Sequence, residues 1–385
     1  MLPFPLPPAR RPEELGLDPA RWERVVDLAQ AMAEEGTVPA LAIDVVRGSR
    51  CWERPLLFGR QRLADKPGTL RDDGIYLVAS LTKPFVAMAV MMLVEQGRLA
   101  LNERVVDLIP EFDAPPKRPM TVRHLLTHTS GLPDMLPNNR RLRETNSPLS
   151  SFLAGTLAVT LDFPPGRGVQ YQSKGFVLLA EIVERVSGLP CRDFLQSRLF
   201  GPLGMADTSL GAPDDWFAGE SPRVDRIVEV AVESDQEGET NWNWNSRYWR
   251  QLAAPWGGLL TTPRDLTVFC RMILAGGTTG DVRLLSPATI AAATTNQLDC
   301  LRDVPEADRR TRPWGFGWRL NWPAHAASYG DLVGPRTFGH WGATGTMFWM
   351  DPDRDAAAVI LSTRPFEQSG PHLARLSNAI AAAFV

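Results

Sequence analysis

Residues 75–93 read IYLVASLTKPFVAMAVMML, an apolar run that is interrupted by Ser80 and Lys83. The pattern predicts a buried strand over residues 75–79 and a buried helix over residues 85–93, with a short turn between them. Helix positions i and i+3 lie on one face, about 5–6 Å apart, so Lys83 can reach the Ser80 hydroxyl. A lysine that burial or a nearby cation has neutralised can activate a serine by taking its proton. The stretch therefore predicts a nucleophile and its base, although Ser80 as a plain helix cap also fits it.

A second candidate group is Tyr171, one of four tyrosines in the chain. It lies between a turn-rich stretch at residues 163–168 and an apolar helical pattern at residues 176–183. A phenol has an unperturbed pKa near 10, and between cationic groups it loses its proton more easily and can act as general base and then general acid. The alternative is a half-buried loop aromatic.

A third candidate region is the glycine-containing stretch at residues 337–345. It begins a pattern of two strands joined by a tight polar turn, which ends at residue 361. Glycines beside a strand indicate that another group approaches the backbone closely. The backbone amide of Ala343 could therefore pair with that of Ser80 to hold a developing oxyanion.

The order of three short motifs resembles the serine β-lactamase and penicillin-binding protein superfamily. The motifs are Ser-Leu-Thr-Lys at residues 80–83, Tyr-Gln-Ser at residues 171–173 and His-Trp-Gly at residues 340–342. The chain is most similar to class C β-lactamases and their relatives: D-alanyl-D-alanine carboxypeptidases, D-aminopeptidases and β-lactamase-like esterases. Residues 125–132, 257–266 and 314–318 also look like that family.

The resemblance implies a role for each matched position. Ser80 is the acylated nucleophile, Lys83 its proton-handling partner, and Tyr171 the base for attack and deacylation. Substrate-binding positions follow from the second and third motifs: Ser173, His340, Gly342 and Ala343. Ser173, which would contact the substrate amide or the lysine, stands where lactamases have asparagine, and His340 stands where they have lysine.

The replacement of that lysine by His340 affects the expected substrate. Histidine, with an unperturbed pKa near 6.5, is mostly neutral at pH 7, whereas lysine is a cation. β-Lactams and peptidoglycan peptides carry a carboxylate that the cation helps to hold, and a neutral ester does not. The sequence therefore favours an esterase, with a D-amino-acid peptidase or carboxypeptidase second and a β-lactamase third. From another class, a catalytically idle ligand-binding or scaffold protein remains an alternative.

Composition narrows the partners. The 385 residues are 44% hydrophobic and 22% charged with a net charge of −3, which makes nucleic acid an unexpected partner. No apolar run is long enough to span a membrane. The proline-rich start lacks the features of a secretory signal, which predicts a cytoplasmic protein, or a periplasmic one if a leader has been removed. The four cysteines are far apart and predict reduced core residues. The resemblance implies a small ester, amide or β-lactam as the partner, and the oligomeric state is left open.

The organisation predicts an α/β (α+β) fold: an antiparallel β-sheet flanked by helices, with an inserted mainly helical region. The sheet part comprises residues 1–80 and 310–385, and the helical region comprises residues 81–309. The resemblance implies the same arrangement, with the active site in the cleft between the two parts. Helix caps are expected at four places: Asp18-Pro19, Thr121, Thr262-Pro263 and Ser286-Pro287.

Two further features, a pair of histidines and a tryptophan-rich segment, are not assigned to the catalytic chemistry. His124 and His128 are spaced i, i+4 but lack a third ligand, so no metal site is predicted, and the chemistry needs no cofactor. His128 and Ser130 are instead expected to stabilise a turn. The tryptophan-rich segment at residues 241–256 either lines an acyl pocket, forms a lid, or packs a long connection.

Overall fold

The computed structural model describes residues 6–232, 236, 238–321, 329–366 and 371–385. Strands are β1 (Pro8–Ala9), β2 (Ala40–Arg47), β3 (Arg50–Trp52), β4 (Leu56–Gly59), β5 (Tyr76–Leu77), β6 (Ser209–Leu210), β7 (Leu259–Thr261), β8 (Thr278–Thr279), β9 (Val282–Arg283), β10 (Arg319–Leu320), β11 (Phe338–Gly342), β12 (Thr346–Asp351) and β13 (Ala356–Ser362). Helices are α1 (Pro19–Glu34), α2 (Thr82–Glu95), α3 (Val105–Leu108), α4 (Val122–Leu126), α5 (Asn139–Glu144), α6 (Leu149–Ala158), α7 (Lys174–Ser187), α8 (Cys191–Leu195), α9 (Gly201–Leu203), α10 (Arg247–Gln251), α11 (Pro263–Leu274), α12 (Pro287–Ala293), α13 (Glu306–Thr311) and α14 (His372–Ala383).

The main sheet joins the two ends of the chain, as predicted. Its order is β1-β3-β2-β13-β12-β11-β10, and β4 also pairs with β2. Adjacent strands are antiparallel except β1 and β3, which form a two-residue parallel pair. The mixed architecture of a central sheet flanked by helices confirms the predicted fold class.

Strand β13 shows why this sheet is covered on both faces. Ala357, Val359 and Leu361 contribute to the core beneath α2, α7 and α11, whereas Ala358 and Ile360 contribute to the core beneath α1 and α14. Successive side chains of a strand point to opposite faces, so a continuous apolar run needs a helical layer on each side.

The predicted helix starts are present. Asp18 accepts a hydrogen bond from the Arg21 amide and is followed by a proline at the first position of α1. Thr262 and Ser286 cap α11 and α12 in the same way, and Thr121 forms a capping box with His124 at α4. Each cap satisfies an amide that the first helical turn leaves unpaired.

Two local predictions were wrong. The apolar run at residues 75–79 forms only the short strand β5, which lies in a separate three-stranded sheet of order β5-β7-β6. Residues 78–81 instead form a tight turn, which needs hydrogen bonds other than those of a ladder. Of the four cysteines, all free, Cys300 is exposed and therefore not a core residue. No helix among the described residues is long and apolar enough to cross a membrane.

Candidate active site

Ser80 lies in a short 3₁₀ turn, Ala79–Leu81, directly before α2. Ala79 has a φ of +46°, a left-handed conformation that costs energy for a residue with a β-carbon. Thr82 holds the turn, because its hydroxyl donates to the Ala79 carbonyl at 2.6 Å and accepts from the Leu259 amide at 3.0 Å. The turn leaves Ser80 half-buried at the start of the helix.

Lys83 lies one turn further along the same helix, where the spacing predicted it. Its Nζ donates to Ser80 Oγ at 2.9 Å and to the Trp256 carbonyl oxygen at 2.8 Å. The side chain is fully buried. The structure therefore brings the predicted pair together and adds a backbone carbonyl that orients the amine.

Burial is the main cause that lowers the pKa of Lys83 to about 7. Asp134 opposes this shift, whereas the positive charges of Lys174 and Arg319 add to it. Near neutral pH a large fraction of the amine is unprotonated and can accept the serine proton.

Tyr171 approaches the serine from the other side. Its hydroxyl donates to Ser80 Oγ at 2.8 Å, and Lys83 Nζ lies 4.8 Å from the centre of its ring. Burial, reinforced by Asp134, raises the pKa of Tyr171 above its ordinary value. The sequence-based expectation of an acidified phenol is therefore wrong, because desolvation outweighs the cation Arg319. Tyr171 is a protonated donor in the resting site.

Ser173 occupies the turn before α7. Its amide donates to Asp134 Oδ1 at 2.8 Å, which anchors the start of the helix. Within the described part of the chain its hydroxyl forms no hydrogen bond with Lys83, whose bonds go to Ser80 and Trp256. The predicted contact with the lysine is absent, and a role toward substrate stays a prediction.

The turn after β11 packs against the residues that precede Ser80. Thr344 and Thr346 donate to the carbonyl oxygens of Leu77 and Val78, at 2.7 and 2.9 Å. A β-carbon on Gly342 would overlap the Val78 carbonyl oxygen, so this close approach requires glycine. Ala343 follows it and is exposed.

His340 is fully buried on β11. Its Nδ1 lies 2.7 Å from the carbonyl oxygen of Trp341, so this nitrogen carries the proton and donates. The opposite nitrogen, Nε2, has no partner among the described residues. Burial, with Arg319 and Lys83 nearby, holds the pKa of His340 far below its usual range. The imidazole is therefore neutral, as the sequence analysis assumed.

Arg319 is a cation that the sequence analysis missed. It lies on β10 opposite Gly339 of β11. Its guanidinium lies 3.8 Å from the ring centre of Trp341 and 4.8 Å from that of Trp314. Within the described ranges it forms no ion pair. The site therefore contains a cation in addition to Lys83, which the inference drawn from the histidine of the third motif did not take into account. Arg319 directly follows the family-like stretch at residues 314–318, the one signal that marked it.

The tryptophan-rich segment contributes to the site through its last member. Trp242 and Trp249 are buried beside the Arg143 guanidinium, which lies 4.9 and 4.5 Å from their ring centres, and they pack a long connection. Trp256 supplies the carbonyl that holds Lys83, and its ring lies 4.0 Å from the Nζ of Lys174.

The two histidines near α4 are hydrogen-bonded as turn residues. Nδ1 of His128 accepts from the Gln172 amide at 3.1 Å, and Nδ1 of His124 accepts from the Thr121 amide at 3.1 Å. Ser130 accepts from the Leu132 amide. The described residues contain no cluster of three or more groups able to hold a metal ion.

Comparisons with known proteins give a consistent picture. The family model described as Beta-lactamase matches residues 25–382. A protein of Salmonella agona named "Putative D-alanyl-D-alanine carboxypeptidase" is 25% identical over 391 aligned positions, which cover 94% of this chain and 87% of that protein.

Two solved structures have the same fold over nearly the whole chain. A penicillin-binding protein homologue from Caulobacter crescentus has a TM-score of 0.75 at 24% identity. The alignment covers 96% of this chain and 99% of the homologue's chain. A family VIII carboxylesterase has a TM-score of 0.72 at 21% identity, with 94% and 98% covered.

Proposed function

Because this chain belongs to the beta-lactamase family and is a serine hydrolase, we propose that it cleaves carboxylic esters through an acyl-enzyme on Ser80. The observation that carries the proposal is the position of Ser80 Oγ, within hydrogen-bond distance of both Lys83 and Tyr171. We place the substrate in the cleft between the sheet part, residues 1–80 and 310–385, and the mainly helical region, residues 81–309.

The two neighbours have different roles in the proposed reaction. Neutral Lys83 takes the proton of Ser80 as Oγ bonds to the ester carbonyl carbon, and the electron pair of the carbonyl moves to its oxygen. The amides of Ser80 and Ala343 hold that oxyanion. As the carbon–oxygen bond to the leaving group breaks, Tyr171 gives its proton to the leaving oxygen and takes one from Lys83. Water then attacks the acyl-enzyme by the same steps in reverse.

Support for an ester substrate comes from His340. A neutral imidazole in place of the third-motif lysine offers no charge to a substrate carboxylate, and an ester without one loses nothing by this. One structural neighbour is described as a family VIII carboxylesterase.

Arg319 favours a second candidate, hydrolysis of a peptide that ends in a D-amino-acid carboxylate. A guanidinium is well suited to bind a carboxylate through paired hydrogen bonds, and the buried Nε of Arg319 has no hydrogen-bond partner among the described residues. The Salmonella relatives carry a carboxypeptidase name. A β-lactam, which also bears a carboxylate, is the third candidate.

The proposed roles predict a pH profile. Lys83 must be neutral to accept a proton, and its pKa is about 7. Activity should therefore rise with pH: kcat/KM at pH 6 should be about tenfold below its plateau above pH 8. Stopped-flow or plate assays of a p-nitrophenyl ester from pH 5 to 9 measure this. A rate that is flat across that range would remove Lys83 as the base.

The substrate test uses matched pairs. The same acyl group is offered as a neutral p-nitrophenyl ester and as the amide of a D-amino acid, and intact-protein mass records the adduct, with Ser80→Ala as control. Turnover of the ester by the wild type, but not by Ser80→Ala, supports an esterase. Preferred cleavage of the D-amino-acid amide, lost about ten- to a hundredfold in Arg319→Met, would support the peptidase instead. No adduct in a folded protein would overturn both and leave a binding or scaffold protein.

A further inference from the structure

Lys174 is a buried cation to which the proposed mechanism gives no role. It is the first residue of α7 and its side chain is fully buried. Its Nζ has no hydrogen-bond partner in the described part of the chain. Burying an ammonium without partners is costly, so a lysine at this position needs a reason beyond packing.

Two aromatic rings surround the amine. Nζ lies 4.0 Å from the ring centre of Trp256 and 5.4 Å from that of Phe152. A desolvated ammonium over a tryptophan face is attracted by the ring, and only in its charged form. Burial lowers the pKa of Lys174 to about 8, while the negative charge of Asp134 raises it. Near pH 7 Lys174 therefore keeps its proton.

Trp256 connects this amine to Lys83. The indole ring of Trp256 faces Lys174, while its backbone carbonyl accepts the hydrogen bond from Lys83 Nζ at 2.8 Å. A side chain stacked on the ring restricts the position of that residue, and hence of the carbonyl that orients the base. Lys174 thus acts on Lys83 both through this contact and through its charge.

The charges around Lys83 come from several elements. Lys174 on α7 and Arg319 on β10 are positive, and Asp134, in the loop between α4 and α5, is negative. The remaining titratable neighbours are uncharged near pH 7: Tyr171, His128 and His340. Both amines lie near aromatic rings, but Lys174 Nζ is closer, 4.0 Å from the ring centre of Trp256 against 4.8 Å between Lys83 Nζ and Tyr171. The pKa of Lys174, about 8, is also above that of Lys83, about 7. The proton therefore resides on Lys174 in preference to Lys83.

We propose that Lys174 is a positioning residue for the reaction at Ser80: its charge, held against Trp256, keeps Lys83 in the unprotonated form that accepts the serine proton. The inference rests on the proposed role of Lys83 as the base. It adds a second lysine, outside the three sequence motifs, to the groups that set the pH at which the enzyme begins to work.

The test is the pH dependence of inactivation by a fluorophosphonate, which reports Ser80 reactivity without a choice of substrate. In Lys174→Met the midpoint of the rise should move up by about one pH unit, so that the variant reacts about tenfold more slowly than wild type at pH 6 and equally fast at pH 9. Lys174→Arg keeps the charge, and its midpoint should stay at the wild-type value. If the midpoint does not move in Lys174→Met, the proposal is overturned, whatever the rate of inactivation at the plateau. Lys174 would then have only a packing role.

A second variant guards against misfolding of Lys174→Met. Asp134→Asn removes the negative charge that raises the pKa of Lys83 and so opposes the effect of Lys174. In this variant the midpoint of the inactivation profile should shift to lower pH. An upward or absent shift would contradict the electrostatic argument. Failure of the proposed function would look different: the wild type itself would show no fluorophosphonate adduct that Ser80→Ala abolishes.

Discussion

Two buried polar clusters of this protein are built in opposite ways. Around Asp265, on α11, the carboxylate accepts from the Thr208 hydroxyl at 2.7 Å and from the Asp207 amide at 3.1 Å. Asp207 in turn is paired with Arg226 at 2.6 Å. Beside Ser80, by contrast, Lys174 has no hydrogen-bond partner among the described residues, and Lys83 has a serine and a backbone carbonyl but no carboxylate.

The difference separates stability from reactivity. A buried polar group whose bonds are satisfied holds elements together, as Asp265 joins α11 to the residues before β6. Buried cations without counterions repel one another, and the one that gives up its proton becomes a base at neutral pH. Changes in the cluster beside Ser80 should therefore alter reaction rates, whereas changes in the Asp265 cluster should alter the free energy of unfolding.

The largest effect on rate is expected from Ser80→Ala. Loss of the nucleophile should lower kcat/KM by at least about ten-thousandfold. Because Ser80 lies in a strained turn beside an unprotonated amine, the melting temperature should be unchanged or slightly higher. Steady-state assays and thermal unfolding measure the two quantities. A large loss of stability would make Ser80 a structural residue and erase the contrast between the clusters.

Tyr171→Phe comes next. The substitution removes the donor to Ser80 Oγ while keeping the ring that packs beside Lys83, so the rate should fall about a hundred- to ten-thousandfold. The loss should be larger for amides than for p-nitrophenyl esters, because nitrophenolate leaves without a proton. Wild-type rates with both substrates would remove the phenol from the mechanism.

Asp265→Ala tests the other cluster. The substitution removes the acceptor of the hydrogen bonds that the Asp207 amide and the Thr208 hydroxyl donate. The loss should lower the free energy of unfolding by about 2–3 kcal/mol, which is roughly a hundredfold in the unfolding equilibrium constant. Urea titration measures the loss, and kcat per folded molecule should not change. Asp265→Asn, which keeps an acceptor, is the matched control and should lose less. A kcat that falls with the stability would couple the two clusters.

Sequence reasoning identified the parts of the site that are local or carry a motif. Ser80 and Lys83 meet because one helical turn separates them, and Tyr171 was marked by its order in the chain. The starts of α1 and α11 followed from Asp18-Pro19 and Thr262-Pro263, since a capping side chain followed by proline is a local signal.

The remainder depended on contacts between distant segments. Trp256 acts through its carbonyl, which every residue has, so no side-chain pattern could mark it. Lys174 looks like an ordinary solvated lysine at a helix start, and only the packing of Phe152 and Trp256 around it shows that it is buried. Arg319 joins the site through the pairing of β10 with β11, which the sequence does not specify.

The smallest effect is expected from His340→Lys, which restores the lysine of the third motif. If that cation were what the site lacks, KM for carboxylate-bearing substrates should fall about tenfold. We expect less than about threefold, because burial and the charges of Arg319 and Lys83 would lower the pKa of the new amine as they lower that of His340. Paired KM measurements on a neutral ester and its carboxylate-bearing analogue decide between these values. A tenfold gain confined to the carboxylate substrate would contradict this expectation, because it would show that the site lacks an anchoring cation and that Arg319 does not serve as one.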